Sequence, residues 1–194
     1  MHTNKSSTNY LLNAIHNEES SQNLLRIAFC LARTGKKVTF ISRKSPESLP
    51  IEDGADETLY RDILMNIVFS YSFDATELIK YLLGIEKLQP RPDVVIIDFL
   101  HTFFEDHLIS SWDTDHNFQS HFIECHMLIT ASLFSTMDVL SNGSRDKFIS
   151  VICIDPNRHK IYKRFIQTLV DSYYYKPDCI LSMKDSLERF AKLN

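Results

Sequence analysis

The chain has 194 residues, 44% of them hydrophobic, with a formal net charge of −4 and a pI near 6.0. That length buries one substantial core, so a single compact domain is expected, and the acidic balance argues against a surface that grips nucleic acid everywhere, leaving only local basic patches for such contact. Cys30, Cys125, Cys153 and Cys179 form no C-x-x-C pair, the polar start at residues 1–7 lacks a signal-peptide core, and no apolar run reaches the ~20 residues that span a bilayer, so a soluble intracellular protein with reduced thiols is expected.

Residues 10–15 (YLLNAI) are a short apolar run suited to a first buried strand. Leu24, Ala28 and Leu31 then recur at helical spacing, and Gly35 stands where a helix end favours positive φ. Residues 37–42 (KVTFIS), rich in β-branched and aromatic side chains, read as a second strand. Residues 45–57 hold Pro46, Pro50, Gly54 and the carboxylates Glu47, Glu52, Asp53, Asp56 and Glu57, the composition of an exposed acidic loop. Residues 67–71 form a third strand, and Asp74-Ala75-Thr76-Glu77 opens a helix carrying Leu78, Leu82 and Ile85 in the manner of a capping box. Pro90 and Pro92 stop it before a buried strand at 93–98.

Further on, Phe118, Phe122, Cys125, Ile129, Leu133 and Leu140 mark one face of a long helix ended by Asn142-Gly143. Residues 148–154 are a strong strand, 158–173 a helix, and 179–181 a last short strand. Strands alternating with helices, with near-continuous apolar strands, predict an α/β fold with a mostly parallel sheet covered on both faces. The domain is expected over residues 10–182, between a flexible N-terminus at 1–9 and a C-terminal helix at 183–194.

The stretch DVVIIDFL at 93–100 reads as a buried strand ending in a carboxylate, Asp98, which is how P-loop ATPases hold magnesium through a Walker B aspartate. Nothing upstream completes such a site. No G-x-x-x-x-G-K-[ST] occurs, and residues 15–22 (IHNEESSQ) contain no glycine, no lysine and two carboxylates, Glu18 and Glu19. A phosphate loop works because glycines let backbone N–H groups converge on phosphate while a lysine neutralises its charge. An acid in that place repels a triphosphate by ~1 kcal/mol in a watery site and by more in a dry one. Asp98 is therefore either a relic of a magnesium site or a hydrogen-bond acceptor capping its strand. No catalytic residue, cofactor or metal is expected: His101 and His107 are isolated, and His121 with Cys125 at i and i+4 give two ligands, too few for zinc.

Residues 37–50 (KVTFISRKSPESLP), the pattern Ile67-x-Phe69-x-Tyr71 followed by Glu77-Leu78, the 93–100 strand and the later segment 169–181 (LVDSYYYKPDCIL) together resemble the SWIM-domain-protein-associated ATPase subunit of the Shu complex. The resemblance covers most of residues 10–182. It implies a RecA-like P-loop NTPase core, nuclear, pairing with a SWIM zinc-finger protein, binding single-stranded DNA and promoting recombinase filament assembly in homologous recombination. The chain departs from the family at Walker A, where the lysine and threonine are replaced by approximately Ser21 and Gln22. A non-catalytic, pseudo-ATPase subunit is thus the expected function. The alternatives are a divergent DNA-dependent ATPase with an atypical phosphate loop and a doubly wound interaction module unrelated to recombination.

For DNA the resemblance directs attention to loops after the central strands. Arg43 and Lys44 form one basic cluster, and Arg158, His159, Lys160, Lys163 and Arg164 a second, with Tyr162 as a stacking face; a solvated helix surface explains the second cluster equally well. Phe29-x-x-Ala32 matches the F-x-x-A pattern by which recombinase-family members dock on one another, though an amphipathic helix core needs the same residues. Tyr173, Tyr174 and Tyr175 are the other candidate partner surface, because tyrosine is enriched at interfaces.

Overall fold

The computed structural model describes residues 8–50, 56–72, 74–104, 127–129, 131–136, 138–140, 148–155, 157 and 180–192. Along them run β1 (Thr8–Asn13), α1 (Glu18–Arg33), β2 (Val38–Ser42), α2 (Glu57–Leu64), β3 (Ile67–Tyr71), α3 (Ala75–Gly84) and β4 (Val94–Ile97). Helical residues within 127–140, β5 (Ile149–Ile154), β6 (Ile180–Ser182) and α4 (Met183–Ala191) follow. The six strands form one sheet in the order β3-β2-β4-β5-β1-β6, and every pairing is parallel.

Strand alternation sorts the side chains into two cores, one on each face. Tyr10, Leu12, Val38, Phe40, Val94, Ile96, Val151 and Cys153 point to the face covered by α1, with Phe190 of α4 beside them. Leu11, Ile41, Val95, Ile97, Ile152 and Ile154 point to the opposite face, under Leu78 and Leu82 of α3 and under Ile129, Leu133 and Leu140. Burial on both faces is what a parallel sheet requires, since each crossover lays its helix on the sheet. It also explains why β4 reads VVII with no polar position: all four residues are buried.

Most boundaries follow the sequence pattern, and three do not. β1 begins at Thr8, two residues inside the stretch expected to be flexible, and ends at Asn13, where its register with β5 runs out opposite Ile154. Ile15, expected in that strand, is 65% exposed. α1 starts at Glu18, ahead of the apolar periodicity, because the Asn17 side chain accepts the Ser20 N–H at 2.8 Å and holds a polar first turn in helical form. α2 lies partly in the expected acidic loop. Asp56 caps it by accepting from the Thr58 N–H at 2.9 Å, and its short apolar stripe, Tyr60, Ile63 and Leu64, is only partly buried against the core. Gly35 does take positive φ, at 82°, and Asp74 does cap α3 through the Glu77 N–H at 2.9 Å. The helix expected at 158–173, the Asn142-Gly143 stop and the part of the long helix before Met127 lie outside the described residues.

Candidate functional site

In an open parallel sheet the crevice at the carboxyl ends of the strands is where ligands bind. Here that edge carries a cleft of about 480 Å³ whose lining includes His16 and Asn17 before α1, Glu18, Ser21 and Gln22 in its first turns, Ser42 to Glu47 after β2, and Asp98 and Thr102 after β4. β1 and β2 are joined by α1, so the helix start necessarily faces the ends of β2 and β4.

Asp98 sits at the base of this cleft. Its Oδ2 accepts the Ser42 hydroxyl at 3.1 Å, and its carboxylate faces the Ser21 hydroxyl at 3.3 Å and 3.5 Å. Its own N–H donates to the Ile41 carbonyl at 2.8 Å, which continues the β2–β4 pairing by one residue and fixes the carboxylate's direction. Burial pushes the carboxyl up to about 6, a rise that the Ser42 and Ser21 hydrogen bonds only partly offset. The next residue, Phe99, has φ of 41°, a left-handed conformation that a bulky side chain rarely adopts. The strain, of order 1–3 kcal/mol, turns the chain at once into the 3₁₀ turn Leu100–Phe104. The fully buried Phe99 ring anchors the turn against His16, 4.4 Å between centroids.

The β1–α1 connection consists of Ala14, Ile15, His16 and Asn17. Its polar groups are already engaged within the chain. The His16 N–H donates to Oδ2 of Asp155 at 3.0 Å, and the same carboxylate accepts the Asn157 N–H at 2.9 Å. The His16 and His101 rings share a hydrogen bond of 3.1 Å, Nδ1 to Nε2. Asn17 occupies the Ser20 N–H, and Glu18 and Glu19 fill the first helical turn. A phosphate loop presents converging free N–H groups at this point. Here two of the N–H groups are taken by Asp155 and Asn17, and two carboxylates stand on the helix start that would otherwise favour an anion.

Ser21, and not Gln22, is the helix residue that faces Asp98; Gln22 turns away and donates to the Ser48 carbonyl at 3.0 Å and hydroxyl at 3.1 Å. Arg43 and Lys44 lie on the cleft wall rather than in a separate basic patch. Arg43 donates from Nη1 to the Thr102 carbonyl at 2.7 Å, tying the segment after β2 to the 3₁₀ turn, while Lys44 is exposed. Phe29 and Ala32 are buried at 9% and 1% exposure in the core beneath α1, and Phe29 stacks on Tyr60 at 5.4 Å, so they are packing residues and not an exposed docking motif. Cys153 is buried, and its thiol is pushed well up by burial and then by the Asp98 charge, which keeps it protonated and inert. Arg158, Lys160, Lys163, Arg164, Tyr173, Tyr174 and Tyr175, like His107, His121 and Cys125, lie outside the described residues.

Sequence reasoning missed His16, Ser42 and Asp155. The signal for Asp155 was present: ICID at 152–155 repeats the pattern of IID at 96–98, an apolar parallel strand ending in aspartate at the edge where sites form. No protein-family model matches the chain, and no curated protein matches it.

Proposed function

We propose that this chain is a RecA-like subunit that works by binding and not by ATP hydrolysis. In this reading it belongs to a Shu-type complex in the nucleus, pairs with a SWIM zinc-finger protein, engages single-stranded DNA and promotes recombinase filament assembly in homologous recombination. One observation carries the non-hydrolytic part: the four-residue turn before α1 gives its His16 N–H to the chain's own Asp155, its Asn17 side chain takes the Ser20 N–H, and it leads into Glu18 and Glu19. Both features argue against a phosphate cradle at this turn. Support for RecA-like ancestry comes from the placement of Ser21 at the start of α1, 3.3 Å from Asp98 at the end of β4. A P-loop Ser/Thr and a Walker B aspartate stand in the same relation around magnesium. The Shu-type partners rest on the sequence resemblance.

The test is co-expression with a SWIM zinc-finger protein, followed by ATPase and DNA-binding assays on the purified pair. A stable complex that binds single strands without turning over ATP is the expected result. The retained Ser21–Asp98 geometry favours one competing reading, a divergent ATPase completed by a partner's residues. Magnesium-dependent turnover by the complex, lost on Asp98→Asn, would establish that reading instead.

A further inference from the structure

Asp98 lacks what a buried carboxylate ordinarily has. Among the described residues its partners are two neutral hydroxyls, and burial outweighs both of them in setting its proton affinity. Buried charges in folded proteins are paired or bound to metal, because desolvation is otherwise uncompensated. In an ATPase the compensation comes from a phosphate-loop lysine and a magnesium ion, and this chain has lost the lysine. The carboxylate is not sealed in: it lines a cleft of about 480 Å³, within the range of ligand sites, with Glu18 and Glu47 also on its lining. Of the two cationic wall residues, Arg43 spends Nη1 on the Thr102 carbonyl and Lys44 is exposed.

We propose that this cleft receives a basic side chain of a partner protein, whose guanidinium or ammonium group seats on Asp98 between Ser21 and Ser42. The inference rests on the reading that the cleft holds no triphosphate, and names what takes its place. A carboxylate has roughly four lone-pair sites, so two hydroxyl donors leave acceptor capacity for a bidentate guanidinium. A metal ion fits less well: no group of three metal-ligating side chains occurs among the described residues, and serine hydroxyls bring no charge. The incoming cation supplies the missing counter-charge, and Glu18 and Glu47 attract it toward the opening.

The test titrates the full chain with N-acetyl-arginine amide and, in parallel, with N-acetyl-citrulline amide, which has the same shape without the charge. Binding is followed by isothermal titration calorimetry in every variant and, in the wild type, also by the Asp98 carboxyl carbon resonance. Saturable arginine binding is expected, at least tenfold tighter than citrulline and at least tenfold weakened by Asp98→Asn. The Asp98 carboxyl is expected to fall from about 6 back toward the ordinary carboxylate range as the site fills. The paired substitution Glu18→Gln with Glu47→Gln, both exposed positions, weakens binding two- to fivefold. Equal binding of citrulline, indifference to Asp98→Asn, an unmoved Asp98 titration, or displacement of arginine by magnesium chloride alone overturns the proposal. A Mg-ATP arm separates the two readings. If neither arginine nor ATP binds, the cation site fails while the non-hydrolytic reading stands; if ATP binds through Asp98, the underlying reading fails.

Discussion

Replacing Asp98 with Asn keeps the shape of the side chain and removes the buried charge, and its effect on stability follows from the carboxyl's displacement. Below pH 3.8 the carboxyl is protonated in both the folded and unfolded chain, so the charge has no influence. As pH rises from there, the unfolded chain releases the proton while the folded chain retains it up to about 6, and wild-type stability falls across that window. Each pH step of one is about 1.4 kcal/mol, and solvent at the cleft opening tempers the total to about 2–3 kcal/mol. Asp98→Asn is therefore expected to gain on wild type steadily between pH 4 and pH 6 and then hold a constant lead. Urea unfolding of both proteins, followed by circular dichroism at a series of pH values, gives the difference directly and cancels the titration of every other group. A flat difference, or one that grows toward acid, refutes the idea that Asp98 is a buried charge without a counter-charge.

Other substitutions test the elements that hold the cleft. Asn17→Ala removes the cap of α1 and is expected to cost about 1 kcal/mol, seen as a fall in Tm of roughly 2–4 °C. Phe190→Ala empties a side chain that is 2% exposed and meets Tyr10 edge-on at 5.3 Å, with an expected loss of about 3–5 kcal/mol of stability, read as a lower urea midpoint with no change in slope. Lys44→Glu, at an exposed position that bears no core load, is expected to weaken single-strand binding by the partnered protein and reduce its salt slope by about 0.7 if Lys44 meets a phosphate. Arg43→Glu is expected to weaken DNA binding and also to lower Tm, because it breaks the tie to Thr102.

The sheet was legible because its strands are buried on both faces. Continuous apolar runs at β2, β4 and β5 need no periodicity to be seen, and Pro, Gly and capping residues mark their borders. α2 was not legible because it is only eight residues long and opens inside a stretch of Pro, Gly and carboxylates that reads as a loop, while its apolar stripe of Tyr60, Ile63 and Leu64 is only partly buried. The site divided along the same physical line. Asp98 stood out as a carboxylate ending an apolar strand, but two of the contacts that build the cleft around it are long-range. Asp155 meets His16 across 139 residues of chain, and Ser42 meets Asp98 across 56, contacts that only the strand order creates. The F-x-x-A match stayed open in the sequence for the opposite reason: a four-residue pattern carries no record of which helix face is buried, and α1 turns both Phe29 and Ala32 inward.

The most direct test of the central claim is calorimetric titration of the purified chain, alone and with the proposed SWIM zinc-finger partner, with Mg-ATP into the millimolar range. A turn whose His16 N–H is held by Asp155 and whose Asn17 already caps α1 predicts no saturable heat in either sample. Saturable binding that disappears with Asp98→Asn would contradict it.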